Sequence, residues 1–211
     1  MTVIDNILAS VQKPARYTGG EFGEVIKNPD DVEIRFAFCF PDKYDIGMSH
    51  LGMKILYSLI NRRNDTYCER CFAPADDLIF ELKKHNFPLF SLETKSPLTD
   101  FDIIGFTLQY ELSYTTILLM LKLSNIPFYN SERNESFPLI IGGGPCSINA
   151  EPIADFFDLF VIGDGEIITD KLLDLYKEEK KNGYNKNEFL KKACNINGVY
   201  VPKFYTPVYS E

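Results

Sequence analysis

The 211-residue sequence contains no tryptophan, only two histidines and only four methionines. It has no P-loop and no GxGxxG pattern, so a nucleoside triphosphate or a dinucleotide bound in the usual way is not expected. It also lacks the run of about 20 apolar residues that a membrane-spanning helix needs. The apolar stretch at 117–121 is far shorter, and residues 1–11 have no basic start before an apolar segment, so no signal peptide is predicted.

The charge balance is acidic. Lys and Arg together number 22 and Asp and Glu 30, which gives a net charge of −8. Nucleic acids and anionic membranes bind proteins through basic surfaces, which such an acidic chain lacks. We therefore expect neither as a direct partner. The sequence contains five cysteines, which is an odd number, and their spacing is irregular. Free thiols in a reducing compartment fit this best, and we expect a cytoplasmic protein of undefined oligomeric state.

The hydrophobic pattern predicts an α/β fold. Apolar, β-branched and aromatic runs predict five main strands, at 32–40, 66–71, 102–109, 138–141 and 159–162. Apolar residues at helical spacing predict helices at 50–62, 76–85, 112–124 and 166–181, with Asp76 as N-cap of the second. Strands alternating with helices imply right-handed crossovers. We therefore expect a flavodoxin-like (Rossmann-like) five-stranded parallel sheet in the order 2-1-3-4-5, with helices on both faces.

The remaining segments divide the chain. Residues 1–30 are polar and Gly-rich and predict an N-terminal arm that includes a short helix. Residues 31–195 hold the sheet domain, in which 89–92 is a candidate for a further short strand. Residues 196–211 are rich in Tyr and Pro, and they predict an edge strand or the start of a linker.

Small and polar residues directly follow the predicted strands, at the sheet edge where ligands of such folds bind. The candidate cofactor-binding residues are Tyr44, Asp45, Gly47, Met48, Ser49 and His50 after the first strand, Thr107, Gln109, Tyr110 and Glu111 after the third, Gly142, Gly143 and Gly144 after the fourth, and Gly163, Asp164, Gly165 and Glu166 after the fifth. The acids among them are expected to converge there without defining a reaction. No catalytic residue and no metal ligand is predicted.

Each motif also has a purely structural interpretation. Three consecutive glycines exceed what a tight turn before Pro145 requires, so a surface that approaches a ligand is favoured. The segment 163–166 equally fits a helix start, with Asp164 as the cap and Glu166 complementing the helix dipole. His50 is interpreted first as part of a helix start, ahead of a ligand-binding role.

Two further patterns are interpreted as structural. Cys68 and Cys71 have the spacing of half a metal site, but no second pair of ligands accompanies them, so packed thiols are expected. His85 falls at a predicted helix end, where a cation favours the dipole.

Taken together, these stretches resemble the N-terminal cobalamin-binding-like domain of a bacterial family of uncharacterised radical SAM proteins. The match is carried by residues 14–21, 41–52, 106–115, 142–146, 149–152 and 163–166. The resemblance implies cobalamin as cofactor and, as partner, the protein's own C-terminal radical SAM domain. That domain would hold a [4Fe–4S] cluster on a CxxxCxxC loop and cleave S-adenosylmethionine. No CxxxCxxC occurs here, so the chain is expected to be a fragment that holds no cluster.

The sequence departs from cobalamin domains of the methionine synthase kind. They carry DxHxxG, whose His ligates cobalt, followed by SxL and GG. Here DxHxxG is missing, Thr107–Gln109 stands in place of SxL, and Gly143–Gly144 matches GG. The alternatives are a docking or substrate-access module of the same fold without cobalamin, and a flavin- or nucleotide-binding domain. Apolar residues wrap the segment 112–123, so this helix is also expected to dock outside its own sheet.

Overall fold

A computed structural model describes residues 2–206 and 208 of the chain. The strands in this part are β1 (Ile34–Phe40), β2 (Thr66–Phe72), β3 (Ile103–Thr107), β4 (Leu139–Gly143), β5 (Leu159–Val161) and β6 (Val199–Tyr200). The α-helices are α1 (Val3–Ser10), α2 (Tyr44–Gly47), α3 (Leu51–Arg62), α4 (Asp76–His85), α5 (Tyr114–Leu123), α6 (Gly165–Lys181) and α7 (Lys186–Ala193).

All the described strands join one sheet, in the order β2-β1-β3-β4-β5-β6. The first five are parallel and follow the predicted order 2-1-3-4-5, whereas β6 runs antiparallel to β5. The expectation of five strands is therefore wrong by one. The sixth has only two residues, too few for a periodic pattern, although its place at the sheet edge matches one of the two roles predicted for the tail. Pro207 and residues 209–211 of that tail lie outside the described residues.

Helices cover both faces of the sheet, as predicted. One face packs against α1, α4 and α5, and the other against α3, α6 and α7. The central strands are buried on both sides, which explains their continuous apolar sequences. Because crossovers between parallel strands place all strand-end loops at one edge, the loops after β1, β3, β4 and β5 gather there.

Several predicted boundaries shift by a few residues. Ala75, not Asp76, is the N-cap residue of α4. A 3-10 helix, Glu111–Ser113, precedes α5. Strand β4 continues through two of the three glycines to Gly143. At 89–92 the structure has only an isolated bridge between Phe90 and Pro97 in place of a strand. Helix α7 is not predicted by the sequence pattern.

The first thirty residues pack onto the sheet domain. Helix α1 lies against α4, and the N–H of Gln12 donates to Asp77 at 2.8 Å. Further along, Lys27 Nζ donates to the carbonyls of Arg63 and Thr66, both at 2.6 Å. These contacts lay the segment beside β2, the edge strand of the sheet. A covered edge cannot recruit another chain's strand.

Arg70 on β2 binds the N-terminal segment to the edge of the sheet. Its Nε lies 2.7 Å from a carboxylate oxygen of Glu93, and its Nη1 lies 2.8 Å from one of Glu21. The guanidinium also stacks over Tyr57, 4.9 Å from the ring centre. Burial raises the pKa of Glu93 to about 7 and outweighs the pull of Arg70 toward the carboxylate. A buried charge network therefore connects the N-terminal segment, the loop at 89–98 and the sheet edge.

Candidate functional site

A cavity of about 180 Å³ opens at the carboxyl edge, between the sheet and helices α3 and α6. We call this cavity the slot. The predicted residues that line it are His50, Thr107, Gln109, Gly142, Gly143, Gly144, Gly163 and Gly165. Those that do not are Tyr44, Asp45, Gly47, Met48, Ser49, Tyr110, Glu111, Asp164 and Glu166. The glycine loops and the end of β3 therefore meet at one cavity, while the loop after β1 contributes only its last residue.

Glycines make the floor of the slot. A Cβ on Gly143 would meet nothing nearer than Val161, at 3.7 Å, so this position faces open space. A Cβ on Gly105 would lie 2.7 Å from the ring of Phe36, which therefore packs directly on the glycine backbone. Around them, Phe38 and Ile141 line the same cavity. The floor is consequently apolar, with open space above Gly143.

Gly144 ends the glycine loop and adopts a backbone conformation that favours glycine. Its φ is +110°, in the region that side chains rarely adopt, and a Cβ there would come within 3.0 Å of the Leu108 carbonyl oxygen. The neighbouring backbone is fastened to the end of β3. The N–H of Leu108 donates to the Gly143 carbonyl at 2.6 Å, and that of Cys146 donates to the Leu108 carbonyl at 3.0 Å. The loop therefore keeps the mouth of the slot in a fixed shape.

Two helices make the opposite wall. Met53, Leu56 and Ile60 contribute from α3, and Gly165 and Thr169 contribute from α6. The methyl carbons of Leu56 lie 3.4 and 3.5 Å from where a Cβ on Gly165 would stand.

An ion pair joins the two helices that form this wall. Arg63, just past α3, bonds Asp170 at 2.5 Å and Asp174 at 2.6 Å on α6. The slot thus has an apolar wall made of two helices that are linked to each other.

Polar groups at the mouth are few. Thr107 Oγ1 accepts a hydrogen bond from the side-chain amide of Gln109. His50 caps α3, since its Nδ1 accepts the N–H of Met53 at 3.1 Å, and its ring lies 5.2 Å from that of Phe40. This bears out the helix-start interpretation of His50. The capping bond occupies Nδ1, so the imidazole is oriented by its own helix.

The predicted convergence of acids is wrong. Asp45 pairs with Arg16 at 2.5 Å, and this hydrogen bond holds the pKa of Asp45 below its usual value. Asp164 occupies the N-cap position of α6 but makes no capping hydrogen bond with its side chain. Glu111 and Glu166 are exposed and line no part of the slot. Their positions in the sequence do not determine where their side chains point.

The loop after β1 has a structural role instead. Tyr44 donates a hydrogen bond to Glu21 and packs edge-on against Phe72, with ring centres 5.3 Å apart. Desolvation raises the pKa of Tyr44 to about 12. A Cβ on Gly47 would lie 2.7 Å from the Phe72 ring. These residues fasten the short helix α2 to the end of the sheet beside the slot.

The cysteines form no metal site in the described residues, where no group of three or more potential ligands occurs. Cys68 and Cys71 point to opposite faces of β2, each into a different hydrophobic core. Burial raises the pKa of the Cys68 thiol well above its usual value. The interpretation of these residues as packed thiols is consistent with this geometry.

Exposed apolar side chains follow the strand ends at the carboxyl edge of the sheet, the edge at which the slot opens. We call Ile46, Leu51, Leu112, Ile148 and Ile167 the apolar rim; Leu112 is 86% exposed and Ile148 80%. Helix α5 itself does not fit the docking expectation, because its apolar residues are buried or half-buried within the domain. Of the residues on which that expectation rested, only Leu112 is exposed, and it precedes the helix.

Sequence reasoning missed Gly105, Leu56 and Thr169 as parts of the slot. The signal for Gly105 was available, since a glycine inside an apolar strand often marks close approach of another group. Leu56 and Thr169 look like ordinary positions of amphipathic helices. None of the helices in residues 2–206 and 208 has both the length and the apolarity needed to cross a bilayer.

Comparisons with known proteins place the chain among relatives. The model of the family described as "Radical SAM proteins, N-terminal" matches residues 52–202. An uncharacterized protein of Methanocaldococcus jannaschii is 28% identical over 131 residues, which are 62% of this chain and 24% of that protein. The chain thus spans about a quarter of the length of the curated relative it matches. No solved structure is similar enough to be matched.

Proposed function

The chain belongs to the family of radical SAM N-terminal domains, and from this premise we propose that it binds a corrinoid cofactor and presents it to a radical SAM domain of the same protein. The observation that carries the proposal is the glycine-floored slot at the carboxyl edge of the sheet. Ligands of open parallel sheets bind at this edge. A corrinoid has a planar ring in its nucleotide tail, and the slot is suited to hold one.

The fit of the slot to this tail follows from its size and lining. At about 180 Å³ the slot is smaller than the roughly 300–1,000 Å³ of sites that enclose whole drug-sized ligands. It would therefore take one ring system, leaving the corrin macrocycle outside over the strand ends. Gly143 would lie under the ring, and Leu56 would lie over it. Thr107 and Gln109 are the polar groups nearest the mouth.

We do not expect a histidine of this chain to ligate the cobalt. His50 is the only histidine lining the slot, and its Nδ1 is already engaged by the α3 backbone. We therefore propose binding without a protein imidazole on the metal. A bound corrinoid supplies a cobalt centre that can carry a methyl group or electrons. The residues of this chain would bind the tail, orient the macrocycle and shield one of its faces.

The apolar rim supports the partner half of the proposal. Exposed apolar patches on a folded domain commonly mark interaction surfaces. The rim residues and the slot lie at the same edge of the sheet, so a domain seated on the rim would cover the exposed face of the cofactor. In this proposal the seated domain holds the [4Fe–4S] cluster and S-adenosylmethionine. Slower hydrogen exchange of rim amides in the full-length protein than in this domain alone would support that arrangement.

Titration with hydroxocobalamin, followed by absorbance, tests the cofactor half. Cobinamide, which lacks the nucleotide tail, is the matched ligand. We expect cobalamin to bind more tightly than cobinamide, because only cobalamin fills the slot. Equal affinities would contradict the role of the slot. Failure of both to bind would leave the domain as a docking or substrate-access module that uses its rim alone.

A further inference from the structure

Leu56 separates the slot from a second cavity. A groove of about 510 Å³ runs along the outside of the molecule between α3 and α6. Leu56, Ile60 and Thr169 line both the groove and the slot. Ile60 and Thr169 are buried parts of the core, whereas Leu56 is half-buried, with its methyl groups against Gly165. The Leu56 side chain is therefore the removable part of the partition.

We propose that Leu56 determines which ring systems the slot accepts, by closing its outer side. This inference rests on the proposed function, since it concerns the ring of the corrinoid tail. The slot has room for a flat ring of limited length. A longer ring would have to enter the space now filled by Leu56 and reach the outer groove. That groove continues past Leu56 to the apolar side chain of Leu173, which would accept such a ring.

The two sides of the partition allow opposite perturbations. Leu56→Ala removes the methyl groups that stand between the cavities and should join them. Gly165→Ala adds a Cβ 3.4 Å from a Leu56 methyl carbon and should narrow the slot. Leu59→Ala shortens a leucine of the same helix that lines only the outer groove, so it is the matched control.

Free benzimidazole and naphthimidazole, with two and three fused rings, are suitable probes because they report on the slot without the macrocycle. Chemical shifts of the Gly105 and Gly143 amides would locate binding in the slot. We expect the parent protein to prefer benzimidazole. In Leu56→Ala the preference should shift toward naphthimidazole by about tenfold or more, the discrimination that a few carbon atoms provide in an apolar pocket. Leu59→Ala should keep the parental preference, and Gly165→Ala should weaken both rings.

Thermal unfolding would establish that each variant is folded. An unchanged preference in folded Leu56→Ala, or failure of both rings to shift the two glycine amides, would overturn the inference about Leu56. Failure of the proposed function has a different outcome. In that case the ring preference still shifts in Leu56→Ala, but hydroxocobalamin binds no more tightly than cobinamide to the parent.

Discussion

Replacing Gly143 by valine should block the slot without harming the fold. The Cβ position on Gly143 has only Val161 near it, at the ordinary contact distance of 3.7 Å. Glycine inside a strand costs about 0.5–1 kcal/mol relative to a residue with a side chain, and valine is favoured in strands. The midpoint of thermal unfolding should therefore stay the same or rise.

Binding should respond in the opposite direction. The valine side chain would project into a cavity of about 180 Å³ that the tail ring is proposed to fill. Forcing extra carbon atoms into a packed site costs about 1–3 kcal/mol. That corresponds to a roughly 5- to 150-fold rise in Kd for hydroxocobalamin. Absorbance titration of parent and variant under the same anaerobic conditions measures the ratio.

Gly142→Ala is the matched control on the same strand. A Cβ there would point to the opposite face of the sheet, 2.9 Å from the Phe160 ring and 3.1 Å from Leu108. The variant should lose about 1–3 kcal/mol of unfolding free energy, while its folded molecules bind with parental affinity. Parental affinity in a folded Gly143→Val protein would refute the placement of the tail in the slot.

Other predictions concern the charge network, the helix cap and the missing cluster. Arg70→Met should lower the unfolding free energy by about 3–5 kcal/mol, because buried carboxylates lose their counter-ion; urea unfolding measures this, and Lys191→Met, at the exposed pair with Glu188, should change it by less than about 1 kcal/mol. The pKa of Glu93 in the folded protein, about 7, exceeds the unfolded value near 4.3, so its contribution to stability is present below that lower value and is lost as pH rises toward 7. Glu93→Gln should therefore gain in melting temperature relative to the parent between pH 5 and pH 8, and a constant difference would contradict this. His50→Ala should cost about 0.5–2 kcal/mol through loss of the α3 cap, and His50→Asn should restore most of it, with the spectrum of bound cobalamin unchanged in both. Anaerobic reconstitution of this chain should yield no stoichiometric cluster iron, as measured by iron analysis, because it has no three cysteines at cluster spacing.

The sequence predicts the sheet well because strands that are buried on both faces are continuously apolar, and this pattern is visible within a short stretch of sequence. Strands β1 and β3 are continuous apolar runs, and α3 repeats leucine and isoleucine at helical spacing. Strand order also follows from alternation with helices, since crossovers restrict which strands become neighbours. These features depend on residues that are close in the chain, so composition and spacing are enough to find them.

Helix α7 shows where local information ends. Its eight residues are mostly polar, and only Phe189, Leu190 and Ala193 are buried. Helices this short are unstable in isolation and depend on packing against the rest of the fold. Here Phe189 packs edge-on against Tyr176 of α6, with ring centres 5.5 Å apart. That contact joins two different helices, and the sequence pattern does not reveal it.

The predicted convergence of the acids at the candidate site is wrong for a related reason. Their nearness to strand ends is local, but their partners are not. Asp45 lies 29 residues from Arg16, which it binds across the N-terminal segment. An ion pair of this kind fixes where a side chain points, whichever strand end its backbone follows. Glycines are better markers of such a site, because they have no side chain to divert.

The three consecutive glycines show that glycines in one motif are needed for different reasons. As a motif they indicate a close approach of the backbone to something, and the structure assigns each a different reason. Gly142 makes room for Phe160 on one face of the sheet, and Gly144 adopts a φ of +110° at the turn. Neither packing nor conformation requires a glycine at Gly143, where a Cβ would fit without strain. Under the proposed function, a ligand accounts for this glycine on the floor of the cavity, so substitution at this position should separate binding from stability.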